Sequence, residues 1–340
     1  MVNMNSIKVM VMSAGVGSRL DPLTRGIPKP LIPIANKPVM DILFEKLADF
    51  GIKDVICNTY YLADKIIDRY KSNNFGINFN YIKEDNLSGT AGGVKKCQFF
   101  FDKNSPFIVL SADGVTNADI KKGIETHLNS NAIATIGIKQ IAKEDVEHFG
   151  VVVTDSNGFI TEFQEKPSVS EAKSDFINTG IYIFDYKIFD YIPENTFYDF
   201  AKNVFPELLK IKSINTFEIK EYWNDIGTIE QYKQSTQDVF SGICQFNHAP
   251  VINKPEGAFI QNNSEIDSTV KFIGNSTISS GCTIGANTII ENSIIWQNVS
   301  IGSNLYIKDC IIGSNNVINK DLDSEIVSSK EEISKNIIEI

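Results

Sequence analysis

Residues 7–38 contain the strongest structural signal in the chain and read Ile-Lys-Val-Met-Val-Met-Ser-Ala-Gly-Val-Gly-Ser-Arg-Leu-Asp-Pro-Leu-Thr-Arg-Gly-Ile-Pro-Lys-Pro-Leu-Ile-Pro-Ile-Ala-Asn-Lys-Pro. The apolar run over 7–12 predicts a buried strand. It opens into a loop of small residues with two glycines, which lets the backbone approach a phosphate closely and direct N–H groups toward it. Arg19 and Lys29 are placed to add two fixed positive charges. The segment therefore predicts a binding site for a polyphosphate.

Two commoner phosphate-binding loops do not match this segment. The dinucleotide fingerprint G-x-G-x-x-G would need a third glycine where Leu20 stands. The P-loop pattern G-x-x-x-x-G-K-[ST] does not place a lysine where Lys29 stands. The match is to a longer pattern, which resembles the signature of the sugar-1-phosphate nucleotidylyltransferases, the enzymes that make NDP-sugars. It runs from Gly15 to Pro38 as G-x-G-[ST]-R-L-x-P-x-T-x-x-x-P-K-P-L-x-P-x-x-x-K-P.

Length and composition are those of an ordinary soluble globular protein with room for about two domains. The 340 residues are 42% hydrophobic and 22% charged. No apolar run approaches the roughly 18–20 residues that cross a bilayer, and the N-terminus lacks a signal-peptide pattern, so we expect a cytoplasmic protein without membrane contact. The net charge of −10 disfavours general binding to nucleic acid. Five scattered cysteines favour reduced thiols over a disulfide framework or a zinc site.

Strands and helices alternate along the first part of the chain. Strands are predicted over 7–12, 54–59, 77–83 and 106–110, and helices over 38–50, 63–70 and 91–101. This alternation predicts βαβ units and an α/β fold with a Rossmann-like, mostly parallel sheet. Ligands bind at the carboxyl ends of the strands in such sheets, where we expect the Gly15 loop, Asn58-Thr59 and Asp113. Beyond Gly150, a hairpin is predicted over 150–154 and 159–165, strands over 176–184 and 221–226, and a helix over 229–240.

An internal repeat fills the last third of the chain. Isoleucine recurs every five or six residues, at Ile273, Ile278, Ile284, Ile290, Ile295, Ile301, Ile307, Ile312 and Ile318. This hexapeptide periodicity predicts a short parallel β-helix in which each coil points an isoleucine or valine inward, and the resemblance implies that it is left-handed. The predicted domains are a nucleotidyltransferase catalytic domain over 1–240, a linker over 241–257, the β-helix over 258–322 and a charged tail over 323–340.

The resemblance implies which residues bind the nucleotide and a metal ion. Leu87-Ser88-Gly89-Thr90-Ala91-Gly92-Gly93 resembles the family's second glycine-rich segment, whose backbone contacts the base. Family members place a metal-binding aspartate at each of two motifs, here Ser111-Ala112-Asp113 and Trp223-Asn224-Asp225-Ile226-Gly227-Thr228, and Mg²⁺ suits such hard carboxylate oxygens. The nucleotide-binding residues implied are Ala14, Gly15, Gly17, Ser18, Gly89, Thr90 and Asp113, and the metal ligands are Asp113 and Asp225.

The resemblance also implies a sugar-phosphate site on the later hairpin and strand. Glu165-Lys166-Pro167 resembles a family motif whose lysine binds the sugar phosphate. Asn178-Thr179-Gly180 resembles a segment that hydrogen-bonds the sugar, and Phe149-Gly150 stands where the family usually has Tyr-Gly. The sugar-phosphate-binding residues implied are Gly150, Glu165, Lys166, Asn178 and Thr179.

The charges of the substrates define the reaction that the resemblance implies. An oxygen of the sugar 1-phosphate attacks the α-phosphorus of an NTP, and pyrophosphate leaves in line. The attacking phosphate is already anionic, so no general base is needed, which agrees with the lack of histidine in these motifs. Positioning and charge stabilisation remain, with Arg19 and Lys29 as the catalytic residues. Asp21 places a negative charge in the first loop, where relatives often carry a basic or neutral residue.

The sequence leaves the substrate pair open. The motifs look most like those of mannose-1-phosphate guanylyltransferases, and glucose-1-phosphate thymidylyl- and uridylyltransferases are the alternative. A non-catalytic regulatory paralogue is an alternative of another class, but it would be expected to have lost Lys29, Asp113, Lys166 or Asp225, and all four are present. An acyltransferase activity of the β-helix is disfavoured because no histidine lies beyond His248. We expect Mg²⁺ as the cofactor, an NTP and a sugar 1-phosphate as substrates, and a homo-oligomer.

Overall fold

The structure is a computed structural model that describes residues 3–73, 75–245, 252–253 and 255–330. By their contacts, these residues divide into two units. The first unit contains the described residues up to Gly15 together with Leu43–Asp225. The second contains Val16–Ile42 together with the described residues from Ile226 onward. The predicted boundaries at 240 and 257 mark changes in sequence pattern rather than in contacts, and they stay predictions.

The regular elements follow one another along the chain in a mixed order. The helices are α1 (Val39–Asp49), α2 (Ala63–Ser72), α3 (Gly89–Lys96), α4 (Ile120–Ser130), α5 (Phe205–Lys210) and α6 (Ile229–Phe240). The strands as far as Asp225 are β1 (Lys8–Met12), β2 (Pro33–Ile34), β3 (Lys37–Pro38), β4 (Asp54–Thr59), β5 (Asn78–Lys83), β6 (Phe107–Ser111), β7 (Gly114–Thr116), β8 (Ala134–Gln140), β9 (Gly150–Thr154), β10 (Ile160–Glu165), β11 (Phe176–Phe184), β12 (Ile214–Glu218) and β13 (Trp223–Asp225). Short 3₁₀ turns occur at Met4–Ser6, Ser18–Leu20, Leu23–Arg25, Lys29–Leu31, Gln98–Phe100, Lys143–His148 and Tyr186–Tyr191, and a π turn at Phe200–Val204.

The main sheet of the first unit has the strand order β5-β4-β1-β6-β11-β9-β10. In addition, β8 pairs with β11, and β12 pairs with β8. β5, β4, β1 and β6 are parallel to one another, whereas β11 is antiparallel to β6. Val9, Met10 and Val11 are fully buried, as expected for a parallel strand that is covered on both faces. The predicted α/β fold with a mostly parallel sheet is confirmed. The carboxyl ends of β4, β1 and β6 lie at one edge, which brings Asn58, Ser13 and Asp113 to that edge.

Most predicted elements of this unit are observed with small shifts at their ends. β4, β9 and β11 have the predicted bounds. The helix predicted over 91–101 is instead α3, over Gly89–Lys96, followed by a 3₁₀ turn at Gln98–Phe100. The sequence patterns do not predict α4, β8 or β12. β8 lies between β11 and β12 with its first five residues buried, so it lacks the alternation that identifies a half-exposed strand.

A β-helix of short strands occupies the second unit. Its strands are β14 (Ile252–Asn253), β15 (Ala258–Gln261), β16 (Glu265–Ile266), β17 (Lys271–Ile273), β18 (Ser276–Ile278), β19 (Thr283–Ile284), β20 (Ile289–Glu291), β21 (Ile294–Ile295), β22 (Ser300–Ile301), β23 (Tyr306–Lys308), β24 (Ile311–Ile312), β25 (Val317–Ile318), β26 (Leu322–Asp323) and β27 (Ile326–Val327). They stack into three sheets, which are parallel apart from β14. We call the sheet of β15, β18, β21, β24 and β27 the β15–β27 face. The predicted parallel β-helix is confirmed, and its handedness stays a prediction.

The core of the β-helix confirms the predicted repeat at all but one position. The buried isoleucines of the repeat are Ile278, Ile284, Ile290, Ile295, Ile301, Ile307, Ile312 and Ile318. The repeat predicts that Ile273 points inward, and this is wrong, because Ile273 is 47% exposed and Phe272 packs against the core in its place. Side chains alternate between faces along a strand, so only one of two adjacent apolar residues of β17 can face inward. Phe272 lies opposite the buried Ile290 in the register, and it is therefore the inward residue.

The last coil of the β-helix extends past residue 322. β26 pairs with β23 and β27 with β24, and the backbone N–H of Lys330 donates to the carbonyl of Ser314 over 2.9 Å. The segment predicted as a charged tail therefore begins inside a coil, and its residues 331–340 lie outside the described residues. Much of the predicted linker, including 246–251, lies outside them as well.

All five cysteines lie in described parts of the chain, where each is buried and none forms a disulfide. Burial raises the pKa of the Cys97 thiol to about 12, so this thiol stays protonated at neutral pH. Among the helices that the structure describes, none is both long enough and apolar enough to cross a membrane.

Candidate active site

The glycine-rich loop leaves β1 and turns at Gly17 into the 3₁₀ turn that begins at Ser18. Gly17 has a left-handed backbone with a φ of 72°, which glycine adopts without steric cost. A Cβ atom on Gly17 would lie 3.0 Å from the Cβ of Lys29 and 3.1 Å from the Cγ2 of Thr24. The glycine therefore permits both the turn and the close packing of the loop on the stem of Lys29.

The two predicted catalytic cations differ in their surroundings. Arg19 and its neighbour Ser18 are exposed, whereas Lys29 is only 9% exposed. Lys29 begins a 3₁₀ turn between two prolines, where its carbonyl accepts a hydrogen bond from the N–H of Ile32 over 3.1 Å. Because proline fixes its own φ, this turn has little conformational freedom. Lys29 is held in place by its backbone and its packing, and Arg19 stands on the surface of the loop.

The charge on Asp21 is balanced within the loop. Its carboxylate accepts hydrogen bonds from Arg25, with 2.7 Å to Nε and 2.6 Å to Nη2. The hydrogen bond from Arg25 lowers the pKa of this carboxyl below its usual range. The aspartate that departs from the family pattern is therefore paired with a neighbouring arginine one turn away.

Two aspartates predicted to hold a metal ion are brought together in the first unit. β7 and β13 pair antiparallel, with Asp225 directly opposite Gly114, the residue after Asp113. Both aspartates are half-buried, and Asp113 accepts a hydrogen bond from the Ser111 hydroxyl. Among the described residues, no group of three histidine, cysteine, aspartate or glutamate side chains is placed to hold a metal. Two carboxylates nevertheless fit Mg²⁺, which takes one or two carboxylates and completes its shell with phosphate oxygens and water.

The hairpin of β9 and β10 carries the predicted sugar-phosphate lysine. Gly150 lies opposite Glu165 in the register, and a Cβ atom on Gly150 would lie 3.6 Å from the Glu165 carboxylate. Lys166 follows with a φ of 46°, and its N–H donates to the carbonyl of Phe149 over 3.1 Å. Both Glu165 and Lys166 are exposed. The hairpin end thus presents a lysine at a fixed, left-handed position.

An irregularity in β11 shapes the segment predicted to bind the sugar. The register of β11 against β8 shifts between Asn178 and Tyr182. The Asn178 amide bridges this irregularity, accepting from the N–H of Gly180 over 3.0 Å and donating to the hydroxyl of Tyr182 over 3.2 Å. Thr179 is buried, and its hydroxyl donates to the carbonyl of Gly137 over 2.7 Å. Burial raises the pKa of Tyr182 to about 12, so the phenol is a neutral hydrogen-bonding partner at pH 7.

Trp223 links the aspartate pair to the predicted sugar segments. It lies two residues before Asp225 on β13, and its Nε1 donates to the carbonyl of Thr179 over 3.2 Å. Its ring packs edge to face on Phe149, with 5.9 Å between ring centroids. The hairpin, the irregular strand and the aspartate pair therefore belong to one packed region of the first unit.

The second glycine-rich segment has a structural role at the start of α3. Gly89 has a φ of 76°, and a Cβ atom there would collide with the carbonyl of Tyr198. That carbonyl accepts hydrogen bonds from the N–H groups of Ala91 and Gly92, each over 3.0 Å. The Thr90 hydroxyl donates to the Asp199 carboxylate over 3.0 Å. Glycine is thus required here for close approach of another loop, in addition to any contact with a base.

A network of buried hydrogen bonds lies at the carboxyl edge of the sheet, and the sequence predicts only part of it. The Ser13 N–H donates to the Asn58 side-chain oxygen over 3.1 Å, and the Asn58 amide donates to Glu84 over 2.7 Å. Glu84, whose side chain is 1% exposed, also accepts from the Ser88 hydroxyl and from Lys96 Nζ, the latter over 3.1 Å. The sequence predicts Asn58 at this edge but misses Glu84. The available signal was that Glu84 directly follows β5, the neighbour of β4.

The predicted site residues are divided between the two units. The first unit contains Ala14, Gly15, Gly89, Thr90, Asp113, Gly150, Glu165, Lys166, Asn178, Thr179 and Asp225, and the second contains Gly17, Ser18, Arg19 and Lys29. Within the first unit the structure brings the two aspartates together and connects them through Trp223 to the sugar segments. Within the second unit it packs Gly17 on Lys29. The individual roles of these residues stay predictions.

Comparisons with known proteins match this chain along most of its length. A model of the nucleotidyl transferase family matches residues 8–241, and a model described as the GMPPB C-terminal domain matches residues 255–337. A UTP–glucose-1-phosphate uridylyltransferase of Synechocystis sp. is 36% identical over 327 residues, which cover 85% of this chain and 83% of that protein. A mannose-1-phosphate guanylyltransferase of Mycobacterium tuberculosis is 26% identical over 296 residues, covering 86% of this chain and 80% of that protein.

A solved structure supports the same relationship. HddC from Yersinia pseudotuberculosis, complexed with GMP-PN, is 28% identical to this chain with a TM-score of 0.59. The match covers 68% of this chain and 99% of that one.

Proposed function

The chain belongs to the nucleotidyl transferase family of sugar-1-phosphate nucleotidyltransferases, and from this premise we propose that it transfers a guanylyl group from GTP to mannose 1-phosphate. The products are GDP-mannose and pyrophosphate. The observation that carries this choice is the match of residues 255–337 to the GMPPB C-terminal domain, combined with mannose-1-phosphate guanylyltransferases among the relatives of the whole chain.

A second substrate pair is favoured by a separate observation. The uridylyltransferase relative that acts on UTP and glucose 1-phosphate is 36% identical over 85% of this chain. Its similarity extends over both units, so uridylyl transfer to glucose 1-phosphate is the second candidate. The chemistry at phosphorus is the same for both pairs.

The reaction depends on stabilising the charges of the phosphates and does not depend on proton transfer. An oxygen of the sugar 1-phosphate forms a bond to the α-phosphorus, the bond from that phosphorus to the bridging oxygen breaks, and pyrophosphate leaves with the electron pair. The nucleophile is already anionic, so no side chain has to remove a proton. In keeping with this, the buried His127 lies 2.9 Å from the Thr135 hydroxyl, and burial lowers its pKa to about 4. This histidine is a neutral core residue at pH 7.

The basic residues bind and hold the phosphates. We assign the triphosphate to Lys29, which is held rigidly, and to Arg19, whose exposed guanidinium can offer two parallel hydrogen bonds. Lys166 binds the incoming sugar phosphate and offsets its repulsion from the NTP. Asp113 and Asp225 would hold Mg²⁺, which when bound neutralises phosphate charge and polarises the P–O bonds. Asn178 and the backbone around Gly180 orient the sugar.

The remaining assignments follow from the same proposal. We propose that the enzyme works in the cytoplasm and assembles as a homo-oligomer. The regulatory-paralogue alternative predicts loss of the phosphate-binding or metal-binding side chains, yet Lys29, Lys166, Asp113 and Asp225 are all retained.

Pyrophosphate release tests the proposal directly. The protein is assayed with Mg²⁺ and each of GTP, UTP, dTTP, CTP and ATP, in combination with mannose, glucose or N-acetylglucosamine 1-phosphate. We expect turnover to be highest with GTP and mannose 1-phosphate. Highest turnover with UTP and glucose 1-phosphate would select the second candidate. Nucleotide binding without turnover in any combination would favour the regulatory paralogue.

A further inference from the structure

The phosphate-binding loop and the β-helix are joined by a buried polar contact within the second unit. β2 and β3 form a hairpin whose turn residues, Ala35 and Asn36, both have positive φ, at 44° and 69°. The Asn36 amide donates to the carbonyl of Ile278 over 2.9 Å and accepts from the hydroxyl of Ser279 over 2.7 Å. Asn36 is 8% and Ser279 is 2% exposed. Both ends of a buried amide are thus satisfied by two consecutive residues at the end of β18.

A second polar contact holds the other side of the same hairpin. The Tyr232 hydroxyl, on α6, donates to the carbonyl of Pro33 over 2.8 Å. The same hydroxyl accepts from Nε1 of Trp296 over 3.0 Å. Tyr232 and Trp296 are the two largest buried polar-tipped side chains of this region, at 0% and 1% exposed. Their bonds connect the hairpin to the coil that follows β21.

Other contacts extend this attachment along the β15–β27 face. α6 is fixed to the β-helix by Lys233, whose Nζ donates to the carbonyl of Asp309 over 2.9 Å. In the loop itself, a Cβ atom on Gly26 would lie 3.5 Å from the Cβ of Ser329, just beyond β27. The segment from Gly26 to Asn36 therefore contacts the β-helix on both sides of Lys29 in the sequence.

From this arrangement we infer that the β-helix positions Lys29 for phosphate binding, with Asn36, Ser279 and Tyr232 as positioning residues. Lys29 lies four residues before Pro33, and the turn between them is fixed by the Ile32 N–H bond to the Lys29 carbonyl. Each coil is bonded to the next by parallel strands, so it is a rigid support. Rigid placement of a cation where phosphate charge develops removes reorganisation from the reaction. The inference rests on the proposed function, since it concerns the NTP-binding lysine.

The side-chain contact can be removed without disturbing the turn. Asn36→Gly keeps a residue that adopts positive φ freely, so the hairpin conformation is retained while the amide is lost. Ser279→Ala removes the partner hydroxyl from the coil side. Ser293→Ala is the matched control, because Ser293 is equally buried and its hydroxyl bonds only within the β-helix, to the carbonyl of Glu291 and the N–H of Cys310.

The measurement is kcat and KM for each substrate, with the affinity for Mg²⁺-GTP and Mg²⁺-UTP measured by calorimetry. We expect Asn36→Gly to lower kcat/KM for the NTP about tenfold, since small misplacements of binding groups have effects of this order, with KM for the sugar phosphate changed less than twofold. Ser279→Ala should also lower kcat/KM for the NTP. The double variant should have a kcat/KM no lower than that of Asn36→Gly alone, because the two substitutions remove the same hydrogen bond. Ser293→Ala should lower the unfolding temperature and leave the kinetics unchanged.

The outcomes separate this inference from the proposed function. Asn36→Gly with wild-type kcat/KM for the NTP, or Ser293→Ala with the same kinetic loss as Ser279→Ala, would overturn the inference while the enzyme remains active. If the wild type turns over no substrate pair, the proposed function fails, and the inference is then decided by nucleotide affinity in the same variants. A wild type that binds neither GTP nor UTP would overturn both.

Discussion

The parallel sheet of the first unit and the parallel β-helix of the second use polar side chains differently. In the sheet, polar groups collect at the carboxyl edge, where Ser13, Asn58 and Glu84 form a buried network and Asp113 follows β6. In the β-helix, polar groups stand at the corners and bond to the next coil, as in the pair of Asn298 and Asn315 amides, 3.2 Å apart. Many polar side chains of the β-helix bond from one coil to the next, whereas the sheet ends in loops that can receive a ligand.

This difference separates the positions that determine stability from those that determine catalysis. The coils repeat similar packing, so we expect the replacement of an inward isoleucine away from the Asn36 contact to affect folding more than the chemistry. The loops at the sheet edge are each different, and a change there removes one particular charge or hydrogen bond. The variants below test this separation, beginning with the largest expected effect.

The largest effect is expected in the core of the β-helix. Ile290→Ala removes a fully buried side chain between Phe272 and Ile307 and should lower the free energy of unfolding by about 2–5 kcal/mol. Ile273→Ala is the control, because Ile273 is 47% exposed and should cost less than about 1 kcal/mol. Urea denaturation followed by circular dichroism measures both. Equal losses would contradict the inward assignment of Phe272.

The next effect is expected at the aspartate pair. Asp113→Asn removes one of the two carboxylates that we assign to Mg²⁺ and should lower kcat at saturating substrates by about 10²–10³-fold, the usual loss for one strong electrostatic group. Asp119→Asn is the control. Asp119 caps α4 by accepting from the N–H groups of Lys121 and Lys122, and asparagine caps equally well, so its kinetics should not change. A wild-type kcat in Asp113→Asn would contradict the metal assignment.

The sequence predicts those features that depend on a repeated pattern or a contiguous motif. The strand β1 follows from a continuous apolar run and the β-helix from isoleucines that recur every five or six residues, and both are observed. The position of Ile273 is missed because Phe272 and Ile273 are equally apolar neighbours, and only the register of the coil distinguishes them. β8 is missed because its first five residues are all buried, so both faces of the strand are covered and the sequence shows no alternation.

Contacts between distant segments could not be predicted from the sequence. Motif matching identifies Asp113 and Asp225 separately, and the pairing of β7 with β13 is needed to bring them together. Glu84 belongs to no motif, although it is bonded to Asn58, Ser88 and Lys96. The hydrogen bond from Ser279 to Asn36 joins residues 243 positions apart, which no local pattern records.

A smaller effect on stability is expected at Glu84, in the buried polar network at the carboxyl edge of the sheet. Glu84→Gln removes an acceptor from the Ser88 hydroxyl and from Lys96, and it should lower the free energy of unfolding by about 1–3 kcal/mol at pH 7. The control is Glu162→Gln, whose ion pair with Lys173 is exposed and is worth about 0.5 kcal/mol. Denaturation in urea compares the two. Equal losses would show that the edge network adds no more than a surface pair.

The smallest effect is expected at the exposed end of the β9–β10 hairpin. Lys166→Ala removes a cation that we assign to the sugar phosphate. A hydrogen bond to a charged group contributes about 1.5–3 kcal/mol, and the lower value corresponds to a factor of about ten. The substitution should therefore raise KM for the sugar phosphate about tenfold. KM for the NTP should stay within about twofold, because the lysine is assigned to the other substrate. The value of kcat should change little, because an interaction made equally in the ground state and transition state affects binding alone. Initial rates with each substrate varied in turn measure both constants.

Lys173 supplies the matched control for this last variant, because it is an exposed lysine near the same hairpin that pairs with Glu162 over 2.7 Å. Lys173→Ala should leave both KM values unchanged, since its charge is already balanced on the surface. A rise in KM for the NTP alone in Lys166→Ala would move the lysine to the nucleotide side of the reaction. The left-handed backbone of Lys166, with a φ of 46°, would then serve to direct its side chain at the triphosphate rather than at the sugar phosphate.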